Sequence, residues 1–206
     1  QNWTLEPGDN FESYLGKFSV GSQKTMQYLL RRFIDPGAIT VVADAAESWE
    51  EISKHMDHTA LAFDERGRTS VYNNAGFRKA TKATVARAAA LGWLRLATAV
   101  DLSSPDSEPV GLGVIVTPPN TDEVIFLLNL YRGKPGSVSN AMYVGLARFS
   151  LSRGLRLDAL RGAFGLKARY GFSPQPQFAL VQDPNWTVRP QTDLEQDAFL
   201  SLYGRT

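Results

Sequence analysis

The sequence predicts a mixed α/β domain whose central sheet is part antiparallel and part parallel, flanked by helices. Between Trp93 and Leu130 three apolar runs follow one another through compact turns with no helix between them, the pattern of an antiparallel meander. From Val124 to Leu160 a strand, a helix and a second strand occupy 37 residues, which implies a parallel, right-handed crossover. The balance of 43% hydrophobic to 21% charged residues over 206 positions is ordinary for a globular chain. Such a chain can bury roughly 70% of its unfolded surface without staples.

Taken in order, Asp9 to Ser19 and Ser22 to Ile34 read as short helices. In the second, Met26, Leu29, Leu30 and Phe33 recur at helical spacing, and Pro36-Gly37 stops it. Residues 39–43 read as a strand, and Glu47 to Met56 as a helix with Trp49, Ile52 and Met56 on one face. Leu61-Ala62-Phe63 and Ser70-Val71-Tyr72 flank a polar turn at 64–68 and suggest a hairpin. Asn73-Asn74 caps a helix from Ala75 to Leu91 whose face is Phe77, Ala80, Thr84/Val85, Ala88 and Leu91, and Gly92 ends it.

Strands follow at 93–100, 110–116 and 124–130, separated by a polar loop (101–108) and the turn Pro118-Pro119-Asn120. A helix from Asn140 to Ser152 presents Met142, Tyr143, Leu146, Phe149 and Ser150 to one side, and Gly154 terminates it. The expected remainder is a strand at 155–160, a short helix at 163–170, a strand at 178–181 and a weak helix at 193–202. Residues 1–92 form an elaborated N-terminal helical and hairpin region packing on the core, and 93–206 form the core itself.

Several function classes are excluded at this level. No apolar run approaches the roughly 18–20 residues that cross a bilayer, so a soluble chain is expected, cytoplasmic or delivered as an effector. The absence of cysteine removes disulfides, thiolate nucleophiles and Cys-based zinc sites. His55 and His58 lie three apart with Glu51 four before His55, but no third ligand accompanies them. Surface or capping histidines, and no metal, are therefore expected. Two Asn-Trp-Thr triplets, at Asn2 and Asn185, match a glycosylation acceptor. The start at Gln1, without a signal segment, suits a mature product or a fragment.

Net charge is +1 but unevenly placed: seven acidic residues lie between Asp44 and Glu65, and eight basic residues against the single Asp158 between Arg132 and Arg169. A basic half suits an anionic ligand or a solvated surface equally well. Within it, the strand ending at Leu130 feeds the loop Tyr131-Arg132-Gly133-Lys134-Pro135-Gly136-Ser137, which opens a helix. First-turn N–H groups have no partner inside a helix and point outward at the positive end of its dipole. Glycine lets an anion approach the main chain, and Arg132 or Lys134 supplies balancing charge.

This order, with Arg132-Gly133 after the third meander strand and Gly171-Phe172 after the short helix, resembles the GNAT acyltransferase family over about residues 93–181. The family's loop, Arg-Gly-x-Gly-x-Gly/Ala, cradles the pyrophosphate of acetyl-CoA. Arg132, Gly133 and the small Ser137 match it, while Pro135 stands where a glycine is usual and supplies no N–H. The resemblance implies an N-acyltransferase using acetyl-CoA or another acyl-CoA, with an amine acceptor that is a protein, an aminoacyl-tRNA or a small molecule. It implies that a main-chain N–H around Leu130 or Tyr131 polarises the thioester carbonyl. The family's proton-donating tyrosine falls at Lys167, with Tyr170 nearby, so these two are the candidate proton donors. Glu123 or Asp122 is the nearest carboxylate to serve as base. A non-catalytic GNAT-like interaction or effector module, with a protein partner on the N-terminal region, is the alternative that Pro135 and the missing tyrosine support. Leu130-Tyr131-Arg132-Gly133 also resembles the Tyr-Arg-Gly strand of ADP-ribosyltransferases, with Phe149-Ser150-Leu151-Ser152 and Glu195 as stand-ins for that family's other motifs.

Overall fold

The computed structural model describes residues 2–8, 10–42, 49–102, 109–132, 136–160 and 164–176. In chain order the elements are β1 (Asn2–Leu5), α1 (Phe11–Gly16), α2 (Val20–Leu29) running into a π-helical turn (Leu30–Ile34), β2 (Ile39–Val42) and α3 (Trp49–Asp64). A 3-10 turn (Val71–Asn73) leads into α4 (Ala75–Ala90), then β3 (Leu94–Ala99), β4 (Gly111–Val116) and β5 (Glu123–Tyr131). The last are α5 (Gly136–Leu151), β6 (Arg156–Asp158), α6 (Phe164–Arg169) and β7 (Ser173–Gln175). The seven strands form one sheet in the order β2-β3-β4-β5-β6-β1-β7. The β5–β6 pair is parallel and its neighbours are antiparallel, as the meander and crossover require.

Side-chain alternation along the meander sorts the core into two layers. Leu94, Leu96, Leu112, Val114, Leu128 and Leu130 face one side, where Ile52 and Met56 of α3 and Val85 and Ala88 of α4 cover them. Ala97, Ala99, Ile115 and Phe126 face the other, beneath Met26 and Phe33 and beneath Met142 and Leu146 of α5. On this second face the register sets Ala97 opposite Gly113 and Ala99 opposite Gly111. The result is a floor of minimal side chains. A Cβ on Gly113 would lie 3.1 Å from Met142 Sδ, and one on Gly111 would lie 2.5 Å from a Val138 methyl, so α5 rests almost on the backbone of β4.

Helix starts follow their caps. Asn10 Oδ1 accepts from the N–H of Ser13, and Asn74 Oδ1 accepts from that of Phe77 at 2.9 Å. Gly92 and Gly154, both at positive φ, end α4 and α5.

Four expectations are corrected. The hairpin at 61–72 does not form: 61–64 is the last turn of α3, which runs eight residues past the expected end. Ile52, Met56, Thr59 and Ala60 keep a helical stripe buried, and this outweighs a three-residue alternation. On α4 the buried stripe is Thr81, Val85 and Ala88, while Ala80 and Thr84 are exposed. Strands β1 and β7 were not expected. They sit at the sheet's far edge, where β1 pairs with both β6 and β7. His55 is buried, not superficial. Its ring nitrogens lie 3.1 Å from the Glu51 carbonyl and 3.2 Å from that of Pro109. The expected strand at 178–181 and helix at 193–202 lie outside the described residues. Among the described residues no helix is long and apolar enough to cross a membrane, and no cluster of metal-ligating side chains occurs.

Candidate functional site

The parallel ladder between β5 and β6 is short. It pairs Glu123 with Arg156, Val124 with Leu157 and Ile125 with Asp158, and stops there. Strand β5 continues for six more residues, to Tyr131. One edge of β5 therefore borders a wedge from Phe126 onward, about 17–20 Å long at the usual rise per residue. A register shift opposite Val114/Ile115, which leaves Leu127 unmatched, bends the strand where the wedge begins.

The ladder phase fixes which main-chain groups face the wedge. Arg132 N–H donates to the Val110 carbonyl at 2.9 Å, so Val110 and Arg132 form a hydrogen-bonded pair. By alternation Tyr131, opposite Gly111, and Asn129, opposite Gly113, turn their N–H and C=O away from β4. At Tyr131 those groups are already engaged. Thr59 Oγ1 of α3 accepts from Tyr131 N–H at 2.9 Å and lies 3.0 Å from its carbonyl oxygen. The same hydroxyl is 2.8 Å from the His55 carbonyl, and its one hydrogen serves one of the two.

Side chains on the α5 side of the sheet gather at this opening. Asn129 Nδ2 donates to the Ser139 carbonyl and lies within hydrogen-bond reach of Ser139 Oγ, both at 3.1 Å, which ties β5 to the first turn of α5. Asn129 Oδ1 is buried without a partner of good geometry among the described residues, although the Tyr143 phenol lies beside this amide and is influenced by it. Burial pushes the Tyr143 phenol up to about 12, with Asn129 pulling the other way. Its ring is stacked on Tyr170 at 6.1 Å and meets Phe126 and Phe172 edge-on. Tyr72 packs against the opposite face, in the layer of α3 and α4. Burial raises its phenol too, and the nearby Tyr143 and Tyr131 phenols raise it further. At the mouth, burial raises Tyr131, while hydrogen-bonded Arg66 and, more weakly, Arg68 pull it down.

The residues expected from sequence fall into three groups. Leu130, Tyr131 and Arg132 end β5 at the mouth, and Gly136 and Ser137 open α5; Gly133 and Lys134 lie outside the described residues. Leu130 is turned toward Leu112, its ladder partner on β4. Glu123 stands at the other end of β5, its carboxylate 2.7 Å from Arg156. Lys167 and Tyr170 lie at the end of β6. Lys167, only 1% exposed, donates to the carbonyls of Ala159 at 2.6 Å and Leu160 at 2.9 Å, and burial lowers it to about 8. The Tyr170 carbonyl accepts from the Tyr14 hydroxyl at 2.7 Å, and burial raises the Tyr170 phenol. Phe149–Leu151, expected in an ADP-ribosyltransferase to be a strand, belongs to α5. Sequence reading passed over Thr59, Tyr72, Asn129 and Tyr143. Only Asn129 carried a signal, as the lone polar residue in an apolar strand.

The overall fold has a counterpart among solved structures. The likeness is to FemX. The superposition has a TM-score of 0.54 at 9% identity and covers 84% of this chain but 58% of FemX, so it is a likeness of fold. The fold is thus the mixed α/β, helix-flanked one expected from sequence. Two other structures superpose more loosely. They are L-PGS from Bacillus licheniformis (TM-score 0.44, 13% identity, 84% of this chain and 52% of that one) and a GCN5-related N-acetyltransferase from Sphaerobacter thermophilus (0.36, 12%, 66% and 42%). No family model and no curated protein sequence matches the chain.

Proposed function

We propose that this chain is an acyltransferase of the GNAT type, moving an acyl group from acetyl-CoA or another acyl-CoA to an amine. The wedge carries this proposal: β5 outruns its last pairing with β6 by six residues and turns polar groups into the gap. An extended ligand bearing amides can add to such an edge as a partial strand. The orphaned Asn129 Oδ1 suits a ligand that brings its own N–H, as the pantetheine arm of CoA does. Arg132, with Arg66 and Arg68 near the same mouth, offers positive charge for a diphosphate. Gly136 and Ser137 add first-turn amides at the positive end of α5, and Gly133 and Lys134 complete the loop.

When bound, such a donor supplies a thioester, whose carbonyl is the activated group. The main-chain N–H of Asn129 faces the wedge and takes the polarising task that the sequence assigned to Leu130 or Tyr131. Glu123, six residues before Asn129 on β5, acts as base through a chain of waters, and Lys167 or Tyr170 supplies a proton to the leaving sulfur. The amine acceptor, whether protein, aminoacyl-tRNA or small molecule, approaches from the N-terminal region.

Thermal shift against acetyl-CoA, longer acyl-CoAs and NAD tests this. At about a hundredfold excess over Kd, an acyl-CoA should raise Tm by roughly 5 °C or more. Arg132→Glu should abolish that rise. A flat response to every acyl-CoA would sink the proposal, and a response to NAD alone would favour ADP-ribosyl transfer. One observation favours a non-catalytic GNAT-like module instead: Lys167 stands where the family's tyrosine would, and it is spent on two main-chain carbonyls. Such a module would bind a protein partner and turn nothing over.

A further inference from the structure

We propose that Tyr143 is a second hydrogen-bond donor to the reacting carbonyl oxygen, acting beside the main-chain N–H of Asn129; this rests on the acyltransferase reading of the wedge. Four observations converge on that phenol. Ser139 and Tyr143 are four apart on α5 and so share a face. Both address Asn129: Ser139 receives the amide nitrogen at 3.1 Å, and the Tyr143 phenol lies beside the same amide. Asn129 in turn presents its main-chain N–H to the wedge, so the phenol and the amide serve one small volume. The Tyr143 ring is pinned by Phe126 at 5.3 Å, Tyr170 at 6.1 Å and Phe172 at 5.9 Å, which fixes its hydroxyl by packing.

The direction of titration sets the role. A phenol held near 12 stays protonated at any ordinary assay pH, so it donates and does not serve as a base. The leaving sulfur has its own proton donor in Lys167 or Tyr170, which leaves Tyr143 for the carbonyl oxygen. Tyr143 therefore stabilises charge as it develops on oxygen. In the step, the amine nitrogen forms the new bond to the carbonyl carbon, the carbon–sulfur bond breaks, and its electron pair leaves with sulfur. The amine passes a proton through water to the Glu123 carboxylate, the thiolate takes one from Lys167 or Tyr170, and Tyr143 ends as it began.

The test is Tyr143→Phe, which keeps the ring and removes the hydroxyl. Turnover of acetyl-CoA with an amine should fall about 100-fold in kcat with KM for the donor changed less than about threefold. A binding readout needs no turnover: calorimetry of acetyl-CoA against S-ethyl-CoA, a thioether without the carbonyl. Wild type should prefer the carbonyl compound about fivefold, and Tyr143→Phe should lose the preference. Full turnover, or an unchanged preference, in a folded Tyr143→Phe overturns the inference. Should that variant fail to fold, Asn129→Leu, which removes the amide beside the phenol and keeps the main-chain N–H, must lower kcat about tenfold and erode the preference; no change there overturns it equally. If wild type binds no acyl-CoA, the acyltransferase reading fails and this inference with it. Retained binding with an active Tyr143→Phe sinks only the inference.

Discussion

Lys167 is a lysine built into a wall. Its ammonium holds the carbonyls of Ala159 and Leu160 just beyond β6, where Leu160 adopts a left-handed conformation (φ 54°) and also receives the N–H of Trp3. Burial lowers its pKa from 10.5 to about 8. Between those values the unfolded chain holds a proton that the folded chain has released, so folding stability should rise with pH across that window. The total rise is roughly 3 kcal/mol, from the linkage of 1.36 kcal/mol per pKa unit. Lys167→Met has no such titration and leaves the Ala159 carbonyl short of a donor, at a cost of about 1–3 kcal/mol. Urea melts at pH 7 and pH 10 should show the variant weaker at both, with the gap from wild type wider at pH 10. A gap that narrows would remove Lys167 as the titrating group. The sequence marked this position through its alignment with a family tyrosine. It could not mark the burial, since a lysine by itself reads as exposed.

Among elements, α5 depends most on what lies beneath it. Gly111 and Gly113, with Ala99 and Ala97 across the ladder, let the helix settle near the sheet and bring its first turn to the mouth of the wedge. Gly111→Ala puts a Cβ about where a Val138 methyl sits, 2.5 Å away. Overpacking of this kind costs about 1–3 kcal/mol. For a chain of this size that lowers Tm by about 2–4 °C per kcal/mol. Adding Val138→Ala removes the opposing methyl and should recover most of the loss in calorimetry; an additive pair would show that the two do not meet. The helix itself was legible from Met142, Tyr143 and Leu146, and its end from Gly154. Its start at Gly136, four residues early, was not, because a Gly-Ser-Val-Ser-Asn run carries no apolar stripe.

The whole sheet is closed by residues far apart in sequence. Thr4 is paired with Asp158 on one side and Ser173 on the other, so the first strand locks the last two. Asn2 Nδ2 adds a buried hydrogen bond to Asp158 Oδ2 at 2.8 Å. Thr4→Pro removes a ladder donor in the middle of that strand and should cost about 3 kcal/mol. Because β1 lies inside the sheet, we expect near-UV and far-UV melting curves to drop together. A loss confined to local fraying would show that β6 and β7 hold without it.

The sequence by itself determined the local elements with enough spacing to declare a period: the meander, α4, α5 and the parallel return of β6. It also pointed to the strand-to-helix junction at 131–137, because glycine and arginine there are a local signal. Tertiary structure alone decided that β1 fills the gap between β6 and β7, that α3 absorbs the expected hairpin, and that β6 leaves β5 after Ile125. Those outcomes depend on which surfaces find each other in the folded chain, for β1 across about 150 residues. Asn129 and Tyr143 look like ordinary strand and core residues until the opened ladder sets both at the free end of β5.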